Sequence, residues 1–171
     1  LLCEHYETLA PGDPDLLLQT LYLHEVLEEY EAIYSALEQA VQLHPNVPEF
    51  KLQWAQMLQA TGQAEQAMQV LSSMAKDDPT NGIVQLELAQ LYTQFDNIDQ
   101  AQAALKNAFE SDDVYPEEKH EILIQYLQII SLAEASPEVD LEASVNESVD
   151  ELLEIALRMH PRDAAILMVA A

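Results

Sequence analysis

The chain has little glycine, one cysteine and very little positive charge. Three glycines in 171 residues leave few positions for the tight turns of an all-β fold, and the abundant Leu, Ala, Gln and Glu favour helices. Cys3 is the single cysteine, so no intrachain disulfide and no paired-cysteine zinc site can form. Six Lys+Arg stand against 31 Asp+Glu, a formal charge of −25. A surface of that sign repels phosphate backbones and anionic lipid heads, so nucleic acid and membrane surfaces are poor partners. No apolar run approaches the ~20 residues needed to span a bilayer, so no membrane insertion is expected. Yet 49% of the residues are apolar, enough to bury a core rather than remain disordered.

What is there is a repeat. Pro11, Pro45 and Pro79 are separated by 34 and 34 residues, and each closes an apolar helical pattern. The same offset aligns Leu21, Ala55, Ala89 and Leu123, then Thr20, Trp54, Leu88 and Ile122, then His24, Leu58, Tyr92 and Tyr126, and Leu37, Leu71 and Leu105. The next closing proline is due at position 113, where Asp113 stands instead. Proline returns as Pro161, which is 82 residues after Pro79, whereas two periods are 68, so the register contains a 14-residue insertion. Removing it places Val149 under Ile33, Ala67 and Ala101, and Ala156 under Ala40, Met74 and Ala108. The insertion is expected near 135–148, between the two helices of its repeat.

Within each period apolar residues recur at helical spacing, as in Tyr30, Ile33, Tyr34, Leu37, Ala40 and Val41. Short turns are expected at Glu28-Glu29, at Thr61-Gly62-Gln63 and at Phe95-Asp96-Asn97, where Gly62, Asp96 and Asn97 tolerate left-handed geometry. Thr80 or Asn81 can cap the helix that follows. Pro116 with Glu117 and Glu118 suits a first helical turn. Ser148-Val-Asp-Glu151 reads as a capping box that opens the last helix of the inserted repeat. His44 and His160, each just before a closing proline, read as helix-end residues complementing the dipole.

These residues resemble the tetratricopeptide repeat family. Trp54, Ala55, Gly62, Ala67, Leu71 and Pro79 match its pattern in one repeat, and Leu88, Ala89, Tyr92, Asp96, Ala101, Leu105 and Ala108 match it in the next. The resemblance implies an all-α fold, a right-handed α-solenoid of antiparallel helix pairs wound as a superhelix, covering residues 1–171. It divides the chain into the end of a preceding repeat (1–13), full repeats at 14–47, 48–81 and 82–115, a repeat with the insertion at 116–163, and the start of another at 164–171. Because it starts with Leu1 rather than Met and both ends fall inside repeats, the chain reads as a piece of a longer repeat protein.

Proteins of this family bind peptides along a concave face lined by the first helices, so the function implied is a non-catalytic interaction scaffold or adaptor. The alternative is a spacer or regulatory arm of a larger enzyme or assembly protein. Projection puts Gln19, Tyr22 and Val26 in the groove from the first full repeat, Gln53, Gln56 and Gln59 from the second, and Glu87, Gln90 and Gln94 from the third. Amide side chains can pair with an extended backbone without selecting a charge. The subclass that clamps a C-terminal carboxylate needs cations on these helices. Lys51 is the only one on the first three and is not in the groove set, so acidic tails are not expected partners.

Nothing in the chain reads as chemistry. The five histidines show no ligand spacing, and no phosphate loop or nucleophile elbow is present. Carboxylate pairs such as Asp77/Asp78 fall at helix ends. No cofactor or metal is expected. Asn146-Glu-Ser148 forms a glycosylation triplet expected to lie in the inserted loop.

Overall fold

The computed structural model describes residues 12–27, 29–134 and 143–170. Among them there are nine helices and no strand, an all-α fold of the helical-solenoid class. The helices are α1 (Pro14–Val26), α2 (Tyr30–Leu43), α3 (Pro48–Ala60), α4 (Ala64–Asp77), α5 (Gly82–Gln94), α6 (Ile98–Glu110), α7 (Pro116–Glu134), α8 (Ala143–Met159) and α9 (Ala164–Val169). Residues 1–11 of the expected end of a preceding repeat, with Cys3 and His5, lie outside the described residues, as does Glu28.

The helix pairs close by one device. Gln63 N–H donates to Leu58 O at 2.7 Å and Gly62 N–H to Gln59 O at 3.0 Å. Asn97 N–H repeats this to Tyr92 O at 2.8 Å, and Asp96 N–H to Thr93 O at 3.1 Å. Glu29 N–H reaches His24 O at 2.9 Å in the first pair. This is the Schellman arrangement, which satisfies the last carbonyls of a helix and needs a left-handed residue at its penultimate position. Gly62 (φ 77) and Asp96 (φ 57) supply it.

Helix starts are held by side chains. Asp13 Oδ1 accepts from Asp15 N–H at 3.0 Å, and Asp163 Oδ1 from Ala165 N–H at 2.9 Å. Of the two candidate caps for α5, Asn81 is the one used: its Oδ1 accepts from Val84 N–H at 3.0 Å. Asn81→Ala is expected to cost about 1 kcal/mol, the usual worth of such a cap, measured by urea denaturation; no change would mean that water replaces the amide.

Two compact units divide the chain, residues 1–77 and 78–171. In the first, Leu21, Ile33, Leu37, Ala40 and Phe50 form a buried cluster that Leu17, Leu18, Val41, Trp54 and Met57 cover. Trp54 meets Tyr34 edge-to-face, with ring centroids 4.9 Å apart. Thr20, which takes the place of an aromatic, is buried and turns its hydroxyl onto Leu16 O at 2.9 Å. In the second unit Val84, Leu91, Ala108, Phe109, Val114, Leu123 and Leu152 are among the enclosed side chains.

Several expectations change. Ser148 is not a cap. It lies inside α8 and is buried. The stretch from Ala143 holds neither Gly nor Pro and keeps apolar spacing, so the helix starts earlier. For the same reason the triplet Asn146–Ser148 lies on a helix, not in a loop. Of the expected insertion, 135–142 is outside the described residues and the rest is helical. α7 has 19 residues where α3 and α5 each have 13, so helix extension on both sides takes up part of the extra length. Finally, His160 is not a cation at a helix end. Its Nε2 lies 3.0 Å from Lys119 Nζ, and burial, then the Lys119 charge, lowers its proton affinity below that of an ordinary histidine. His44, its counterpart in the first unit, stacks on Phe50 at 5.9 Å and its Nε2 is enclosed without a hydrogen-bond partner.

Candidate functional site

Among the described residues, the first helices of neighbouring pairs leave a cleft between them in each unit. In the first unit the cleft holds about 360 Å³. α1 supplies Leu18, Leu21, Tyr22 and Glu25, α3 supplies Gln53, Gln56, Met57 and Ala60, and α2 forms the floor with Tyr30, Ile33 and Leu37. The helical period explains this: residues 18, 21, 22 and 25 share one face, as do 53, 56, 57 and 60. Tyr22 and Tyr30 are 66% and 67% exposed, so both rings present area to solvent at the mouth of the cleft. Glu25 is the one charged residue in the lining.

The second unit repeats the geometry with different chemistry. Its cleft, about 470 Å³, lies between α5 (Leu86, Ala89, Gln90, Thr93) and α7 (Glu118, Glu121, Ile122, Gln125, Tyr126), over Ala101 and Leu105 of α6. Leu18, Leu21, Ile33 and Leu37 of the first cleft correspond, 68 residues on, to Leu86, Ala89, Ala101 and Leu105. At the same offset Tyr22 becomes Gln90, Gln53 becomes Glu121 and Met57 becomes Gln125. The floor stays apolar while the rim turns polar and acidic. Burial makes the Tyr126 phenol a weaker acid than an ordinary tyrosine, so it stays a neutral hydroxyl there.

Of the expected groove residues, Tyr22, Gln53 and Gln56 line the first cleft and Gln90 the second. Gln19, Val26 and Gln94 are exposed, and Gln59 and Glu87 half-buried, on the same helices but outside these linings. Projection missed Met57, on the same face of α3 as Gln53 and Gln56, missed Tyr30, which enters from the second helix, and missed the whole contribution of α7. The column correspondence with Gln53 and Met57 could have located Glu121 and Gln125. Lys51 lines neither cleft. Among the described residues no group of three or more His, Cys, Asp or Glu could hold a metal ion, and no helix is long and apolar enough to cross a membrane.

Comparison places this arrangement among known folds. The structure of MamA residues 41 to the end from Desulfovibrio magneticus RS-1 superposes with a TM-score of 0.64 at 13% identity, over 95% of this chain and 84% of that one. A MamA RS-1 ArsTM double mutant gives 0.64 at 16% identity, over 94% and 84%. An IFIT1 monomeric mutant with m7Gppp-AAAA gives 0.61 at 17% identity, over 98% of this chain but 37% of that one. A search of curated proteins by sequence finds no match. The sequence model of the tetratricopeptide repeat matches residues 27–81 and 58–117, more than half of the chain. The chain therefore belongs to the tetratricopeptide repeat family.

Proposed function

We propose that this chain is a non-catalytic interaction module that holds a segment of another protein in the clefts between successive first helices. Tetratricopeptide repeats generally serve as protein-interaction scaffolds, and the repeat boundaries 14–47, 48–81, 82–115 and 116–163 follow from that reading. The observation that carries the proposal is the cleft of the first unit, where two exposed tyrosines flank an apolar floor and two glutamines stand on the opposite wall. Such a site takes an apolar side chain between the rings, and the amides of Gln53 and Gln56 meet the backbone on either side. Tyrosine suits this because it supplies large area at low entropic cost.

The IFIT1 structure carries m7Gppp-AAAA, but six cations against 31 carboxylates oppose that use here, so the partner is protein. The linings of both clefts hold no Lys or Arg, which supports the reading that acidic tails held by a carboxylate clamp are not the partners. Once a partner is in hand, Tyr22→Ala is expected to weaken binding about 30-fold, the loss of one hot-spot ring. Stability should change by no more than about 0.5 kcal/mol, because the ring is exposed. Calorimetric titration reads the affinity and urea denaturation the stability, and unchanged affinity would remove the first cleft from the interface.

A further inference from the structure

Lys119, the third charged residue after Pro116 in the first turn of α7, is fully buried, at 0% exposure. Lysine is rarely enclosed without a purpose-built set of acceptors. Its Nζ donates to Ser111 O at 2.9 Å and lies 3.0 Å from His160 Nε2. An ammonium group has three donors and no acceptor, so the imidazole must accept, with its proton on Nδ1. Three places in the chain thus meet at one amine: the segment after α6, the start of α7, and the residue that ends α8.

We propose that Lys119, His160 and the Ser111 carbonyl form a latch that acid opens, freeing the start of α7 and the end of α8 from the segment between α6 and α7. Protonated His160 has no lone pair for Lys119 and sets a second cation about 3 Å from it. The other charged groups facing His160 are Lys119 and Glu117 on α7, Asp112 on the segment after α6, and Asp163 at the start of α9. The three carboxylates favour the imidazolium, but burial and Lys119 prevail and lower the proton affinity of His160. Asp163 already accepts from Ala165 and Ile166, and Asp112 and Glu117 are exposed. Burial likewise lowers the proton affinity of Lys119, against the opposing pull of Asp112.

The sign follows from linkage. A base whose folded value is lowered binds more protons when unfolded or opened, so closure weakens as pH falls below the ordinary histidine value near 6.5. The rest of the chain responds the other way. Acidification reduces a charge of −25 and eases self-repulsion, while carboxylates stay mostly ionised above about pH 5. A local loosening at the latch is therefore separable from any general trend. Because α7 carries Glu118, Glu121 and Tyr126, one wall of the second cleft loosens with it.

Hydrogen exchange of the full 171-residue chain at pH 7.5 and 5.5, corrected for intrinsic rates, tests this without a binding partner. Opening of residues 111–120 and 156–163 should rise about three- to tenfold, the ceiling being tenfold per pH unit for one proton. Residues 64–77 should not follow. In His160→Gln, whose amide oxygen can accept at either pH, the rise should vanish. The His160 ring should titrate below the ordinary range by NMR, and Lys119→Met should move it upward. A flat wild-type response, an equal rise in His160→Gln, or an ordinary His160 titration would each overturn the latch.

Discussion

Gly82→Pro is expected to lower stability by about 3 kcal/mol, although proline is what the repeat itself places at this position. Pro14, Pro48 and Pro116 all open first helices at the same point of the period, where a missing N–H costs nothing. Gly82 differs because the loop that closes its own repeat lies against it. A Cβ there would stand 2.6 Å from Ser111 Cβ and 2.7 Å from Val114 Cγ2. Its N–H also donates to Asp113 Oδ2 at 3.4 Å, and Asp113 stands where a closing proline was due. Overpacking of this kind costs about 1–3 kcal/mol, and the lost hydrogen bond adds about 1 kcal/mol. Gly82→Ala keeps the N–H and should lie lower, near 2 kcal/mol. Urea denaturation of both variants gives the comparison. A stabilised Gly82→Pro would mean that the Ser111–Val114 loop moves aside freely.

Phe109→Ala should be the most damaging single change in the second unit, at about 3–5 kcal/mol. The ring is wholly enclosed and is among the largest buried side chains of the chain. Its counterparts in the column are Val41, Ala75 and, past the insertion, Leu157, all smaller than phenylalanine. For a chain of this length that loss lowers Tm by roughly 10 °C. Tyr115→Ala, six residues on and 71% exposed, is the control and should stay within about 0.5 kcal/mol. A small effect at Phe109 would show that α6 collapses onto the gap.

The repeat was legible because its signals are local. A 34-residue spacing of prolines, left-handed residues at Gly62 and Asp96, and Asn81 before an apolar run all act within a turn or two of the chain. What escaped reading depends on distant partners. Lys119 looks like an ordinary surface cation, because its acceptor His160 lies 41 residues away. Asp113 looks like a lost proline, because Gly82 lies 31 residues before it. Ser148 and Glu151 match a capping box, yet the helix extends through them, since no Gly or Pro between Ala143 and Ser148 stops it and serine costs only a little inside a helix. The site was legible in part for a related reason. Projection from first helices alone finds Tyr22, Gln53, Gln56 and Gln90, but Tyr30 enters from the second helix of the pair.

The most direct test of the account is site-specific photo-crosslinking in extract of the source cells. A crosslinker at Gln53, inside the first cleft, is compared with one at Gln39, exposed on the second helix of the preceding pair. The account predicts a discrete protein adduct from position 53 that is absent from position 39 and disappears with Tyr22→Ala. The same adducts from both positions, or an adduct indifferent to Tyr22→Ala, would contradict it.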